Sequence, residues 1–101
     1  MVVASISFRV QPHKRPETLT IVDETIERMR GTVGCSRVRL FADGEDPNTF
    51  TVLSEWETAD EVNSFVSSRA FQPFRGIRML LRGDPLIVLD EVQTRVTRLF
   101  R

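Results

Sequence analysis

The chain holds a single cysteine, Cys35, so no disulfide can form within it. A lone thiol suits a compartment that keeps thiols reduced, and a cytoplasmic location is expected. Lysine is nearly absent. Lys14 is the only one, and arginine supplies the rest of the 14 positive charges. Arginine is favoured where flat, paired contacts are needed, although a GC-rich genome would produce the same bias. These charges are balanced by 14 Asp and Glu, for a formal net charge of zero. That balance removes the electrostatic reason to expect nucleic acid or an acidic membrane as partner. One histidine, His13, one cysteine and no clustered carboxylates make no metal-ligand set. No apolar run approaches the ~20 residues of a membrane-spanning helix. The opening "MVVASISFRV" lacks the charged start and cleavage site of a signal peptide and reads as a mature first strand. No glycine-rich phosphate cradle is present.

What is there is enough for one domain over residues 1–101. A chain of this length buries about 60–70% of its unfolded surface, which gives one core but not a generous one. A two-layer fold this small can leave one sheet face uncovered, and pairing with another chain would cover it.

Alternation marks the first strand: in "VASISFRV" (3–10) Ala4, Ile6, Phe8 and Val10 point one way, and Val3, Ser5, Ser7 and Arg9 the other. After "QPHKRP" the spacing turns helical from Pro16 to Arg30, with Leu19, Val22, Ile26 and Met29 on one stripe. Pro16 and Glu17 suit its first turn, and Arg28, Arg30 and Gly31 its end. "GCSRVRLFAD" (34–43) and "TFTVLSEW" (49–56) alternate again around the turn residues "DGEDPN", which reads as a hairpin. The Asp-rich turn lacks the spaced ligand pattern of a calcium loop. "TADE" (58–61) fits a capping box in which the Thr58 hydroxyl accepts from the Glu61 amide and the Glu61 carboxylate reaches back. The helix that follows buries Val62, Phe65 and Val66. Pro73 breaks or restarts it, and a further turn or two carries Phe74, Ile77 and Leu80. "LIVLDEV" (86–92) is a last strand, and the Thr and Val of "QTRVTRLF" are suited to prolonging it.

The order β-α-β-β-α-β predicts an α+β, ferredoxin-like fold, an antiparallel sheet with both helices on one face. The covered face carries Ala4, Ile6, Phe8, Val38, Leu40, Phe50, Val52 and Trp56. The opposite face carries Val3, Ser5, Ser7, Arg9, Arg37, Arg39, Phe41, Leu53 and Glu55, with Ile87 and Leu89 assigned there as well. It is too apolar for water and too charged for a dry interior unless its arginines are paired. Such a mixed face suits an interface with a second copy, in which Arg–Glu pairs set the register. A monomer with scattered surface apolar residues is the plain alternative.

Three short motifs then stand in order: Gly34-Cys35 at the start of the second strand, Trp56-Glu57 at a strand-to-helix junction, and Ser68-Arg69-Ala70-Phe71 at a helix end. In that order and spacing they resemble the antibiotic biosynthesis monooxygenase family, over nearly the whole chain to Val92. The resemblance implies a dimeric α/β barrel with a pocket in each subunit between helices and sheet. It also implies a reaction with molecular oxygen that uses no metal, flavin or other cofactor, on a quinol or a polyketide-type intermediate. Other members of the family degrade haem, and others have no known activity. Many members carry a histidine in the second helix, nine residues after the tryptophan, where this chain has Phe65. The haem-degrading pattern of asparagine, tryptophan and histidine falls here on Ile6, Phe65 and the neighbourhood of Arg75, which argues against haem cleavage.

Trp56 has two readings: a core plug closing the end of the sheet, or a pocket wall on which a flat aromatic ligand stacks. Its indole N–H needs a partner if buried, and a quinol oxygen would serve. Phe65, Phe71 and Phe74 are core residues by pattern. With Ile6, Phe8 and Val52 they would line an apolar substrate cavity if the helix stood away from the sheet. Arg75 is a solvated surface residue or, turned inward, the partner of a phenolate or enolate that must be stabilised before it passes an electron to oxygen. Trp56 and Arg75 are therefore the candidate catalytic side chains. His13 lies in a loop and Cys35 at a strand start, where solvation and packing explain them. Two functions stand open: an oxidoreductase acting as a monooxygenase on a small electron-rich aromatic, and a dimeric ligand-binding or regulatory protein without catalysis. An RNA-binding domain would need Phe50 and Trp56 on the open face, and their strand parity puts them on the other.

Overall fold

The computed structural model describes residues 1–93 and 96. Strands β1 (Val2–Arg9), β2 (Cys35–Ala42), β3 (Thr49–Trp56) and β4 (Leu86–Glu91) form one antiparallel sheet in the order β2-β3-β1-β4. Helix α1 (Arg15–Arg30) connects β1 to β2. Helix α2 (Ala59–Val66) and the short α3 (Gln72–Arg75), flanked by single turns at Arg69–Phe71 and Gly76–Leu80, connect β3 to β4. This is the α+β, ferredoxin-like arrangement that the order of alternating and helical segments predicts. The sheet is open, with β2 and β4 at its edges.

Local chemistry accounts for the element ends. α1 begins with Pro16 in its first turn, where the missing amide donor costs nothing. Its buried face holds Val22, Ile26 and Met29, with Leu19 packed at the margin. Thr18 and Thr25 are buried on the same face, and their hydroxyls donate to the carbonyls of Lys14 and Ile21, both at 2.8 Å. A hydroxyl satisfied this way by the preceding turn can enter a core. In the β2–β3 turn the Asp43 carboxylate accepts from the amides of Glu45 and Asp46, and Asp46 accepts from the Asn48 amide and the Thr49 hydroxyl. The Thr49 hydroxyl and the Asn48 amide hold the Asp46 carboxyl below its ordinary range. The turn carboxylates are thus occupied in closing the hairpin.

At α2 the Thr58 hydroxyl accepts from the Glu61 amide at 3.2 Å. The Glu61 carboxylate does reach back, but it meets the Thr58 hydroxyl at 3.2 Å. Pro73 restarts the chain as α3 after α2 ends at Val66, and Phe74 and Ile77 are buried. Val62 and Phe65 are buried beneath α2, with Val66 half-buried beside them.

Sheet register fixes which side chains share a face. Ala4, Ile6 and Phe8 lie opposite Ser54, Val52 and Phe50 on β3, all buried under the helices. Ile87 lies opposite Ile6, and Leu89 opposite Ala4. Directly paired residues point to the same face, so Ile87 and Leu89 belong to the helix side, not to the open face the sequence pattern assigns them. Both stay exposed because no helix extends over β4, whose six residues are all exposed. The open face instead carries Leu86, Val88 and Asp90 of β4 beside Ser7, Ser5 and Val3. On the other edge, Arg37 stands opposite Glu55, Arg39 opposite Leu53, and Phe41 opposite Thr51. β4 ends at Glu91, and Val96 lies outside any strand. Most of the segment expected to prolong β4 lies outside the described residues.

Candidate functional site

Trp56 closes β3 with its indole turned to the helices, 1% exposed. Its N–H donates to the Ser54 hydroxyl at 2.8 Å, and that hydroxyl reaches the Ala4 carbonyl at 3.4 Å. The indole donor is therefore satisfied inside the protein. From Trp56 a run of ring contacts crosses the core: Trp56 to Phe65 at 5.6 Å between centroids, Phe65 to Phe71 at 5.7 Å, Phe71 to Phe74 at 5.0 Å, Phe74 to Phe8 at 5.8 Å, and Phe8 to Phe50 at 5.9 Å. Ile6 and Val52 pair across β1 and β3 beneath it, both buried. These rings rest on one another at packing distance.

Space opens where this run meets β4. Phe71, Phe74, Arg75, Arg78, Pro85 and Ile87 enclose a cleft of about 270 Å³. The Arg75 guanidinium lies 5.8 Å from the Phe71 ring centroid. It donates to the carbonyls of Val66 and Ser68, the latter at 3.3 Å. Those contacts leave its positive charge without a carboxylate partner among the described residues. Arg78 differs, since it pairs with Asp84 at 2.5 Å. A phenyl wall, an aliphatic wall from β4 and a guanidinium not neutralised by a carboxylate suit a flat, apolar molecule bearing one anionic oxygen. Of the candidate residues, Phe71, Phe74 and Arg75 meet at this cleft. Ile6, Val52 and Trp56 do not line it, and Phe8 and Phe65 reach it only through neighbouring rings. Arg78, Pro85 and Ile87 escape the sequence pattern, because nothing in it brings β4 back beside α3.

The antibiotic biosynthesis monooxygenase family matches residues 1–76 of this chain. The chain belongs to that family. This member is 27% identical over 97 residues to a protein of Bacillus subtilis (strain 168) named "Putative monooxygenase YcnE", covering 96% of this chain and 99% of that one. Solved structures share the fold: an antibiotic biosynthesis monooxygenase with TM-score 0.85 at 22% identity, covering 93% of this chain and 100% of the other. Rv0793 from Mycobacterium tuberculosis also gives TM-score 0.85, at 15% identity over 96% of this chain and 100% of that one.

Other candidate groups of this family member stand apart from the cleft. His13 is exposed in the turn at Pro12–Lys14. Cys35 is half-buried, and burial pushes its thiol above the ordinary value. Among the described residues no three His, Cys, Asp or Glu side chains cluster as metal ligands. None of the described helices is long and apolar enough to cross a membrane.

Proposed function

We propose that this family member is a monooxygenase oxidising a small, electron-rich aromatic or quinol-type substrate, with molecular oxygen as the other reactant and no cofactor. The observation that carries the reading is Arg75, held over Phe71 at an apolar cleft with no carboxylate partner among the described residues. A guanidinium placed there favours the ionised phenol or enol, the form that can pass an electron to oxygen. For an anthrone-like substrate the balance is CH₂ + O₂ → C=O + H₂O. The CH₂ gives up one proton, the carbanion carbon bonds oxygen, and the peroxide takes that proton back as a hydroperoxide. Loss of the remaining C–H hydrogen with the outer OH as water leaves the C=O. Phe71 and Phe74 form the wall against which the ring lies, and Trp56 with Phe65 supports that wall from behind. Ile6, Phe8 and Val52 set the floor beneath those rings.

Oxygen uptake with a panel of quinols and anthrones tests it. Consumption of one O₂ per ketone formed, with kcat/KM lowered at least about tenfold by Arg75→Gln, is the expected result. No uptake on any substrate, or an unchanged Arg75→Gln, refutes it.

A second reading is a small-ligand-binding or regulatory protein without catalysis. It is favoured by the cleft lining, which among the described residues contains no carboxylate or histidine to accept a proton. Binding of the same quinols or anthrones without oxygen uptake decides for it.

The assembly that fits either reading is a homodimer closed over the open sheet face into an α/β barrel, in a single-domain cytoplasmic protein. Support comes from Phe41 on one edge strand and Leu86 and Val88 on the other, all exposed on that face. Sedimentation at micromolar concentration yielding only monomer excludes the dimer.

A further inference from the structure

A larger cleft lies between α2 and the residues that follow the end of α1. Thr32, Val33, Glu57, Glu61, Ser64, Phe65, Ser68 and Ala70 line its space of about 470 Å³. Its lining is divided in character. Val33, 88% exposed, Phe65 and Ala70 give an apolar side, while two carboxylates and three hydroxyls give a polar one. Among the described residues no arginine or lysine lines it. Residues Thr32 and Val33 follow the C-terminal end of α1, where helix carbonyls add partial negative charge.

Glu61 is the informative residue. One carboxylate oxygen meets the Thr58 hydroxyl, but the other, Oε2, is buried with no hydrogen-bond partner. It rests against Gly34, where a Cβ would lie 1.2 Å from it and where the backbone φ of +93° also favours glycine. The carboxylate therefore occupies the room that the missing side chain leaves. Buried carboxylate oxygens are ordinarily met by a donor. Glu61 itself lines the cleft, so a donor bound there meets its carboxylate group. The gain would be a hydrogen bond from whatever sits there.

We propose that this cleft is a second binding site, for a small organic cation: a primary ammonium carried on an apolar body. The ammonium donates to Glu61, with Glu57 and the Ser64 and Ser68 hydroxyls as further acceptors. The apolar body lies against Phe65, Ala70 and Val33. An ammonium offers three donors to this acceptor set, and two carboxylates with no arginine or lysine beside them in the described lining attract it. The site shares no lining residue with the arginine cleft, which suits an anion. The two clefts thus select opposite charges, and either can be tested without the other.

Amide chemical shifts of the full chain, titrated with phenethylammonium and in parallel with neutral 2-phenylethanol, test the assignment. The expected result is saturable shifts at Thr32, Ser64, Ser68 and Ala70 with the amine, and binding of the alcohol weaker by about tenfold or more. Glu61→Gln should weaken the amine by roughly tenfold. The amide introduced by that change keeps an oxygen for the Thr58 hydroxyl, so the helix start survives. Glu57→Gln, at an exposed side chain, is the second variant and should weaken the amine several-fold without disturbing the fold. No saturable shift at millimolar amine overturns the proposal. So do equal affinities for amine and alcohol, shifts confined to the Arg75 cleft, or amine affinity unchanged in both variants.

Discussion

Ile6 and Ile87 face each other across neighbouring strands, on the same side of the same sheet. Ile6 is 4% exposed and Ile87 46%. Residue type and sheet face are identical, so neither of these decides burial. Cover does. β1 runs under α1, α2 and their connecting turns, whereas β4 is an edge strand with no helix above it. The same contrast extends along both strands. β1 alternates buried and half-buried residues up to its exposed end, while the apolar run Leu86–Leu89 stays exposed on both sides. An apolar edge strand with neither face covered is a pairing surface rather than a core element.

The severest challenge to this contrast is the same substitution in both strands. Ile6→Ala should cost about 2–5 kcal/mol in chemical denaturation, because a cavity is left in a packed core. Ile87→Ala should cost less than about 1 kcal/mol at concentrations where the chain is monomeric. Equal losses would mean that β4 is as enclosed as β1.

Ser54→Ala tests the core side by its polar chemistry. It leaves the Trp56 indole N–H buried without a partner, and should cost about 1–3 kcal/mol. In a Trp56→Phe background the same change should cost clearly less, because the donor is gone. Additive losses would mean that the hydrogen bond at 2.8 Å contributes nothing.

On the uncovered side, Val88→Lys should change the stability of the isolated chain by no more than about 0.5 kcal/mol. If β4 joins the interface between two copies, the same variant should shift sedimentation toward monomer. An unchanged oligomeric state would remove β4 from that interface.

Cys35 supplies the smallest effect. Burial raises its thiol above the ordinary 9.0, so between the unfolded and folded values only the unfolded chain releases the proton. Stability conferred by the protonated thiol is complete below pH 9.0 and is lost as pH rises from there through the higher folded value. Cys35→Ser should flatten the alkaline side of the stability profile.

Much of the fold is legible along the chain because strand and helix periods are local. Thr49–Trp56 alternates cleanly and forms β3 over those same residues. The Leu19–Met29 stripe becomes the inner side of α1, and the Thr58 cap begins α2 where expected. The site is less legible. Arg75 and Phe71 could be named from the sequence, but Arg78, Pro85 and Ile87 join them only because the last strand returns beside β1. Glu61 reads as a capping residue, and nothing local signals that its second oxygen rests on Gly34, in the turn before β2.

The spacing of neighbouring residues was enough to dictate which segments are strands and helices and which side of β1, β2 and β3 is oily, but not the facing of Ile87 and Leu89 on β4. Packing in three dimensions settled the rest: which oily side is covered, where the rings stack and which charges share a cleft. Those outcomes depend on contacts between residues far apart in the chain: the helix side of β1 and β3 is buried, and that of β4 is not.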